Sequence, residues 1–336
     1  MTRHATITGV GSSLPPRLVP NTWFESRMDT SDEWIRERTG IEARHFADEG
    51  TLTSDLAVEA ARAALDTAGI PAEQIEMIVC ASVTGDVPFP ATAVFVQQKL
   101  GLSCPAFDVN AACAGFSYGL ATATAFVQAG MADTVMLIGA ETFSRILDFT
   151  DRQTAILFGD GAGATVIQAS DRAGIEGTVL GADGRAAEIL LMPGGGSREP
   201  ATAATVAADR HRIRMPNGRE VFKRAVTEMS AACRQVLEKN GHAPEDVDLL
   251  IPHQANARIM VAVAERLGIP MERAVVDVAE VGNTSAASIP IALDRAYRAG
   301  RMHEGDLVLF TSFGAGLTWG ATVMRWTLPA PVEAAS

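Results

Sequence analysis

The chain has 336 residues, 47% of them hydrophobic, and a formal net charge of −12. It can bury a large core, while the negative charge disfavours nucleic acid and anionic membranes as main partners. Its four cysteines have irregular spacings and no CxxC pair, which argues against a disulfide framework or a metal site. No signal-peptide core or run of about 18 apolar residues is present, which predicts a soluble cytoplasmic protein without a membrane role.

Strand-like apolar runs alternate with helix-like runs along the chain. The helix "SDLAVEAARAALDTAG" precedes the strand "QIEMIVCASV", and "FDVNAACAGF" leads into a further helix before the strand "DTVMLIGAE". The long helix "REVFKRAVTEMSAACRQVLEKNG" then precedes "DLLIPH", and "DLVLFTSFG" is a late strand. This alternation predicts an α/β fold with largely parallel or mixed sheets that are buried on both faces.

The order of elements is repeated in the two halves of the chain. "ARAALDTAGIPAEQIEMIVCAS" in the first half matches "CRQVLEKNGHAPEDVDLLIPHQ" in the second. We therefore expect two fused halves, residues 1–172 and 173–328, followed by a flexible tail over residues 329–336. The small and polar segment 194–217 is predicted to be a mobile flap.

Three residues with chemically useful side chains stand where predicted strands end. Laying Asp108 on Asp277 places Cys113 within about one position of Asn283, and His253 ends the strand that matches "IEMIVCA". Strand ends gather in the crevice of an open α/β sheet, so these residues can converge from distant sequence. The helix after Cys113 would favour its thiolate. Each also has a purely structural explanation, as an inert thiol, a core histidine or a helix cap.

Taken together, the motifs resemble a known family. "DVNAACAGF", "PHQAN" and "GNTSAAS", about 140 and 30 residues apart, resemble the β-ketoacyl-acyl carrier protein synthase III family of condensing enzymes. "TSDEWIRERTGIEARHF", "FTDRQTAILFGDGAGA", "REVFKRAV" and "SFGAGLTWG" extend the resemblance over almost the whole chain. It implies a thiolase-like fold, in which two duplicated α/β halves form a layered αβαβα sandwich. Within it, "GDGAGA" is interpreted as a tight-turn packing element rather than a phosphate loop.

The resemblance implies a decarboxylating condensation without a tightly bound cofactor. Cys113 would take an acyl group from the substrate acyl-CoA as a thioester. Malonyl-acyl carrier protein would then lose carbon dioxide and attack this thioester, giving a 3-oxoacyl-acyl carrier protein and starting fatty-acid synthesis. His253 and Asn283 would donate hydrogen bonds to the enolate, and the backbone N–H groups of Cys113 and Ala315 would form an oxyanion hole.

The resemblance also implies binding residues and a homodimer. Trp34 and Arg152 would hold the adenine between them, and Arg38 would contact phosphate. Phe89 would reach across the dimer interface to close the acyl pocket of the other subunit. The tunnel wall would include Thr30, Gly218, Phe222, Ala255 and Asn256. Docking of the acidic carrier protein would use Arg219, Lys223, Arg224, Arg258 and Arg266.

Other functions stay open at this point. A relative with the same fold could load a starter unit in polyketide or other secondary metabolism, or transfer an acyl group to another acceptor. A catalytically silent CoA-binding protein or scaffold would not need Cys113, His253 and Asn283 together. A redox protein based on Cys113 would need a resolving cysteine, which is not nearby in sequence. The sequence does not identify the acyl-CoA primer.

Overall fold

A computed structural model describes residues 3–331 of the chain. Most of the predicted tail, residues 332–336, lies outside the described residues. The strands are β1 (His4–Ser13), β2 (Arg17–Pro20), β3 (Ala43–Phe46), β4 (Met77–Ala81), β5 (Ala106–Val109), β6 (Thr134–Thr142), β7 (Asp160–Ser170), β8 (Ile175–Ala182), β9 (Leu249–Pro252), β10 (Leu307–Gly314) and β11 (Thr318–Arg325). The α-helices are α1 (Thr22–Glu25), α2 (Asp32–Thr39), α3 (Thr53–Ala68), α4 (Thr92–Leu100), α5 (Gly115–Gln128), α6 (Ala203–Ala207), α7 (Gly218–Lys239), α8 (Ala257–Leu267), α9 (Val278–Val281) and α10 (Ser288–Arg298).

Two mixed sheets repeat one pattern. The first has the order β1-β7-β6-β4-β5 and the second the order β8-β11-β10-β9. In both sheets, two antiparallel strand pairings are followed by a parallel one. Strand β5 then extends the first sheet, and at the same place in the second sheet Leu250 and Ala274 form a parallel β-bridge. The predicted boundary at residue 172 falls between β7, which ends at Ser170, and β8, which begins at Ile175.

Helices lie in three layers around the two sheets. Helices α5 and α10 lie between the sheets and share one apolar core with β4, β6, β9 and β10. Helix α3 covers the outer face of the first sheet, and α7 and α8 cover the outer face of the second. This arrangement is the layered αβαβα sandwich, which confirms the predicted fold class.

Glycines in the strands allow helices to approach closely. A Cβ on Gly11 of β1 would lie 2.3 Å from the backbone nitrogen of Ala64 in α3, and a Cβ on Gly163 of β7 would lie 2.7 Å from that of Ile291 in α10. Gly163 belongs to "GDGAGA", so the interpretation of this motif as a tight turn is wrong. The motif begins strand β7, and its glycines are needed for packing between layers.

The predicted match of residues between the halves also needs correction. Short 3₁₀ helices begin at Ala112 in the first half and Ser285 in the second, with positive φ angles of 47° and 51°. Cys113 therefore matches Ala286, three positions beyond Asn283. The four-residue helix α9 lies before this turn in the second half only, and it accounts for the shift.

The segment predicted to be a flap folds back on itself beside the central sheets. An antiparallel β-bridge pairs Leu191, just before the segment, with Arg214. Arg210 and Glu199 form an ion pair of 2.6 Å within the segment. A second ion pair of 3.0 Å joins Arg214 to Asp148. The mobility of residues 194–217 stays a prediction. Within residues 3–331, no helix is both long and apolar enough to cross a membrane.

Candidate active site

Cys113, His253 and Asn283 line one cavity of about 130 Å³. Cys113 follows β5, His253 follows β9, and Asn283 follows α9, so three turns from both halves supply these side chains. All three side chains are buried. The predicted convergence of these residues is therefore found, although their roles stay predictions.

Cys113 lies in the turn that leads into α5. Burial raises the pKa of its thiol to about 12, the Ser285 side chain acts to lower that pKa, and the negative charge of Glu141 raises it. This desolvation opposes the helix dipole, which was expected to favour the thiolate.

His253 is fixed at its backbone and at one ring nitrogen. Its backbone nitrogen donates to Thr311 O (2.7 Å), and its Nδ1 lies 2.6 Å from Ser288 Oγ. The Gln254 N–H donates to the same hydroxyl oxygen (3.4 Å). Burial lowers the pKa of His253 to about 3, so the ring is neutral. In the tautomer whose Nδ1 accepts the Ser288 hydrogen, Nε2–H donates into the cavity.

Asn283 is held so that its amide nitrogen is a donor. Its backbone nitrogen donates to Leu157 O (2.8 Å), and its carbonyl accepts from Gly159 N (3.0 Å). The Ser285 N–H donates to Asn283 Oδ1 (2.9 Å), which identifies this oxygen as the acceptor and leaves Nδ2–H₂ as the donor group. His253 and Asn283 thus present two neutral N–H donors to one cavity.

A second cavity, of about 360 Å³, lies on another side of Cys113. Ala315 is part of its wall, and neighbouring Gly314 packs so closely that a Cβ there would lie 2.7 Å from the Cys113 nitrogen. Thr318 Oγ1 donates to Ala111 O (2.9 Å) and to Ala315 O (3.1 Å), which joins the two loops. Ala315 is not among the residues with positive φ, so its methyl group causes no strain. The cavity wall carries no charged side chain and consists of Val83, Asn110, Ala112, Cys113, Phe143, Ile146, Phe158, Ala187, Leu190, Leu191, Met192, Ile213, Ala315 and Gly316.

Most residues assigned to the CoA tunnel lie between Cys113 and a cationic opening. Gly218, Phe222, Ala255 and Asn256 line the same cavity as Cys113. Gly218 and Phe222 also line a third cavity of about 410 Å³, and its remaining wall is Arg38, Arg219 and Arg258. Three guanidinium groups at one opening create a positive field that would attract phosphate.

Trp34 and Arg152, which were expected to hold the adenine between them, contact each other directly. The Arg152 guanidinium carbon lies 4.7 Å from the Trp34 ring centroid, and that of Arg38 lies 5.4 Å away. Arg152 also donates to the Asp29 carbonyl (2.8 Å). A base needs about 3.5 Å on each face, so Arg152 would have to move outward to admit it. Thr30 is nearby in sequence, and its enclosed Oγ1 has no hydrogen-bond partner within the described part of the chain.

The cations assigned to carrier-protein docking have different surroundings. Arg219 and Arg258 face the cationic opening, whereas Arg224 pairs with Glu220 (2.9 Å) and Asp183 (3.0 Å). Arg266 donates to Thr227 Oγ1 (3.3 Å). Lys223 lies on the same helix as Arg219 and Arg224. The charge of Arg224 is thus balanced within this chain, and Arg219 and Arg258 are the better candidates for docking.

Phe89 is not part of any of these three cavities. Its side chain is 86% exposed, the largest exposed fraction among the large hydrophobic residues of the described chain. An aromatic ring in that position leaves apolar area in water unless a partner covers it. Its predicted role at a dimer interface is consistent with this exposure.

Sequence reasoning did not identify three polar residues around the site. Ser285 and Ser288 were inside "GNTSAAS", and the spacing of that motif gave no sign that the Ser285 N–H would hold the Asn283 side chain or that Ser288 would contact His253. Glu141 ends the apolar run "DTVMLIGAE", and a carboxylate directly after a buried strand was a signal that could have been used. Its side chain is fully buried.

Comparisons with known proteins agree with this arrangement. The family model described as "3-Oxoacyl-[acyl-carrier-protein (ACP)] synthase III" matches residues 107–184, and the model of its C-terminal part matches residues 237–326. The chain is 50% identical over 325 residues to the β-ketoacyl-[acyl-carrier-protein] synthase III of Caldanaerobacter subterraneus, covering 96% of this chain and 98% of that one.

Solved structures of related enzymes have the same fold. The 3-oxoacyl-[acyl-carrier-protein] synthase III of Aquifex aeolicus superposes with a TM-score of 0.88 at 45% identity, covering 96% of this chain and all of that one. The priming β-ketosynthase of the R1128 polyketide pathway superposes with a TM-score of 0.91 at 34% identity, covering 98% of each chain. The predicted family and enzyme class are confirmed: this chain belongs to the 3-oxoacyl-[acyl-carrier-protein] synthase III family of condensing enzymes.

Proposed function

We propose that this protein condenses an acyl-CoA primer with malonyl-acyl carrier protein, releasing carbon dioxide and forming a 3-oxoacyl-acyl carrier protein that starts fatty-acid synthesis. The observation that carries the proposal is the single cavity shared by one buried thiol, Cys113, and two neutral N–H donors, His253 and Asn283. Such donors suit an enolate, since they stabilise negative charge without giving up a proton to it.

In the first half-reaction, Cys113 would attack the thioester carbonyl of acyl-CoA. The tetrahedral oxyanion would be bound by the backbone N–H groups of Cys113 and Ala315, whose loops pack against each other through Gly314. The bond to the CoA sulfur would then break and leave an acyl group on Cys113. The acyl chain would occupy the uncharged cavity beside Cys113, so the primer would be an acyl group without a charged end.

In the second half-reaction, the malonyl-pantetheine arm of malonyl-acyl carrier protein would enter through the tunnel. Its thioester oxygen would accept hydrogen bonds from His253 Nε2–H and Asn283 Nδ2–H, so that loss of carbon dioxide leaves a stabilised enolate. The enolate carbon would attack the acyl-Cys113 carbonyl, and breakage of the carbon–sulfur bond would release the 3-oxoacyl product. These steps use only side chains and backbone N–H groups of this chain, and we propose that no tightly bound cofactor takes part.

Binding of both carriers would depend on the cationic opening of the tunnel. Arg38 would contact a phosphate of CoA, and Trp34 and Arg152 would enclose the adenine once Arg152 moves outward. Gly218, Phe222, Ala255, Asn256 and Thr30 would line the path of the pantetheine arm. Arg219 and Arg258, with contributions from Lys223, Arg224 and Arg266, would attract the acidic carrier protein.

We also propose a cytoplasmic homodimer. Phe89 would leave solvent and enter the second subunit, where it would close the end of the acyl pocket. The 86% exposure of its side chain supports this proposal, since burial of such a ring contributes about 2 kcal/mol. A monomer at micromolar concentration in sedimentation experiments would contradict it.

Starter loading for a polyketide pathway is the second candidate, because the chain is 34% identical to a priming β-ketosynthase of such a pathway. The decisive experiment offers acetyl-, isobutyryl-, longer-chain and aromatic acyl-CoAs in competition, adds malonyl-acyl carrier protein, and identifies products by mass. Formation of 3-oxoacyl-acyl carrier protein from a short straight or branched primer supports fatty-acid initiation. Exclusive use of an unusual primer would favour the polyketide role.

The His253→Ala variant is the control for the condensation step. It should still form the acyl enzyme, because its acyl-accepting thiol is intact, and it should fail to release carbon dioxide from malonyl-acyl carrier protein. Wild-type release of carbon dioxide by this variant would contradict the role given to His253.

A further inference from the structure

Strand β9 ends at Pro252, directly before His253. The segment that follows α8 runs parallel to this strand, since Leu250 and Ala274 form a β-bridge and the Val275 N–H donates to the Leu250 carbonyl (2.9 Å). In a parallel ladder, the next bond would run from the N–H of Pro252 to the Val275 carbonyl. Proline has no N–H, so the backbone ladder stops at this point.

The side-chain amide of Gln254 occupies the place where the ladder stops. Its Nε2 donates to the carbonyls of Pro252 (2.8 Å) and Val275 (3.1 Å), and its Oε1 accepts from the Asp277 N–H (2.7 Å). These three backbone groups are the ones that the next two bonds of the ladder would use. A flipped amide would direct its oxygen at two carbonyls, so the three partners determine its orientation. The two chain segments are therefore joined through a buried amide group instead of directly.

The two joined segments carry the two N–H donors of the site. His253 lies between Pro252 and Gln254, and its backbone nitrogen is held on the other side by the Thr311 carbonyl (2.7 Å). Asp277 directly precedes α9, and Asn283 follows two residues after that helix ends. Without the amide, two carbonyls and one N–H would lose their partners in a buried region, and the segments would have to shift to satisfy them. The separation of the two segments therefore depends on one side chain.

We propose that Gln254 is a positioning residue that sets the spacing between the His253 ring and the Asn283 amide for condensation. Decarboxylation needs both donors on one thioester oxygen, and a misplacement of about 1 Å can cost about 100-fold in rate. Acylation of Cys113 uses neither donor, so Gln254 should act on the second half-reaction alone. This inference rests on the proposed function.

A role of Gln254 in fold stability alone would give a different result. Loss of the amide would then lower the free energy of unfolding and the fraction of folded protein, and both half-reactions would slow to the same extent. A positioning role predicts instead that the acyl enzyme forms normally and that only its reaction with malonyl-acyl carrier protein is slow. Both rates are therefore measured on the same preparation.

Gln254→Met keeps the length of the side chain and cannot replace its hydrogen bonds. The matched control is Gln97→Met, because Gln97 Nε2 in helix α4 donates to the Cys104 carbonyl (2.8 Å) away from the two donors. Intact mass follows acylation by acyl-CoA, and release of carbon dioxide by the acyl enzyme is measured over a range of malonyl-acyl carrier protein concentrations. Gln254→Met should acylate at the wild-type rate and lose about 10- to 100-fold in kcat at nearly constant KM. Gln97→Met should match the wild type in both reactions.

Gln254→Glu gives a second test that does not depend on the stability of the methionine variant. A protonated glutamate can donate to one carbonyl and accept from the Asp277 N–H, whereas an ionised one directs negative oxygens at both carbonyls. Its rate of carbon dioxide release, relative to the wild type, should therefore rise as pH falls from about 9 to 6. The titratable and charged groups beside it are His253 and Asp277, which pairs with Arg295 (2.8 Å). Both are present in the wild type, which is the reference at each pH, and circular dichroism verifies folding.

Three results would each overturn the proposal. They are wild-type release of carbon dioxide by Gln254→Met, equal losses in acylation and decarboxylation, and a ratio of Gln254→Glu to wild-type rates that does not change with pH. Failure of the wild type itself to release carbon dioxide would overturn the proposed function, and this inference with it. The wild-type measurement thus separates failure of the proposed function from failure of the role given to Gln254.

Discussion

Ser288 Oγ lies 2.6 Å from Nδ1 of His253 and joins the residue after β9 to the first turn of α10. The Gln254 N–H also donates to this oxygen, and the enolate-donor role proposed for His253 requires the Ser288 hydrogen to be directed at Nδ1. One hydroxyl therefore determines which nitrogen of the ring donates into the cavity. The role of His253 as an enolate donor depends on Ser288 as much as on the histidine itself.

Ser288→Ala should slow decarboxylation and leave acylation unchanged. Without the hydroxyl, the ring can adopt the Nδ1–H tautomer, which presents a lone pair to the enolate instead of a donor. We expect release of carbon dioxide by the acyl enzyme to fall about 10- to 100-fold. Ser288→Thr keeps the hydroxyl and should restore most of the rate. An equal loss in both variants would show that Ser288 acts only through packing.

The decarboxylation rate of enzyme acylated in advance should be independent of pH between about pH 5 and 8. Burial lowers the pKa of His253 to about 3, so the ring stays a neutral donor throughout this range. The free energy of unfolding should depend on pH instead. The unfolded chain binds this proton near pH 6.5 and the folded chain does not, so the free energy of unfolding falls as pH drops from about 6.5 towards 3. A rate inflection near pH 6.5 would contradict a neutral His253.

Arg152→Ala should weaken acyl-CoA binding without affecting the chemical step. Loss of a guanidinium from one face of the base removes about 1 kcal/mol, so KM for acyl-CoA should rise about fivefold at constant kcat. Acyl-pantetheine has no adenine and should show no change. Arg27 lies over Trp23 at 3.7 Å in the same manner, and Arg27→Ala is the matched control. An equal rise in KM for both variants would exclude a specific contact with adenine.

Arg44→Ala should destabilise the fold. The Arg44 guanidinium is buried, lies 4.6 Å from the Phe24 ring centroid, and donates to Asn21 Oδ1 (2.8 Å) and to the Ile156 carbonyl. Its removal leaves a cavity and unpaired acceptors, at a cost of about 3 kcal/mol in the free energy of unfolding. Thermal unfolding measures the loss. Exposed Arg17 in the adjoining strand is the control, and Arg17→Ala should change little.

The fold could be predicted from the sequence because its signal extends over many residues. Alternating apolar runs and a repeated order of elements determine the sandwich, and the motifs around Cys113, His253 and Asn283 each follow a strand or turn. The exact match between halves could not be found, because α9 is a short insertion that leaves the hydrophobic pattern unchanged. Local composition placed "GDGAGA" in a turn, whereas packing of α10 requires those glycines inside β7.

Electrostatic properties of the site were the least predictable. The helix start suggested an activated Cys113 thiolate, but burial acts on the same thiol in the opposite direction. Desolvation depends on what covers a group from elsewhere in the chain, which sequence neighbours do not reveal. The same reason explains why Glu141, Ser285 and Ser288 were missed. Ser288 contacts His253, 35 residues away, and Glu141 accepts hydrogen bonds from Thr84, 57 residues away.

The most direct test of the account is the mass of the protein after incubation with acyl-CoA. Wild-type protein should gain the mass of one acyl group, and fragmentation should place it on Cys113. Cys104→Ala, which removes the most exposed cysteine of the described chain, should be acylated normally. Cys113→Ala should gain nothing while keeping its fold. An acyl adduct that persists on Cys113→Ala would contradict the central claim that Cys113 carries the acyl group.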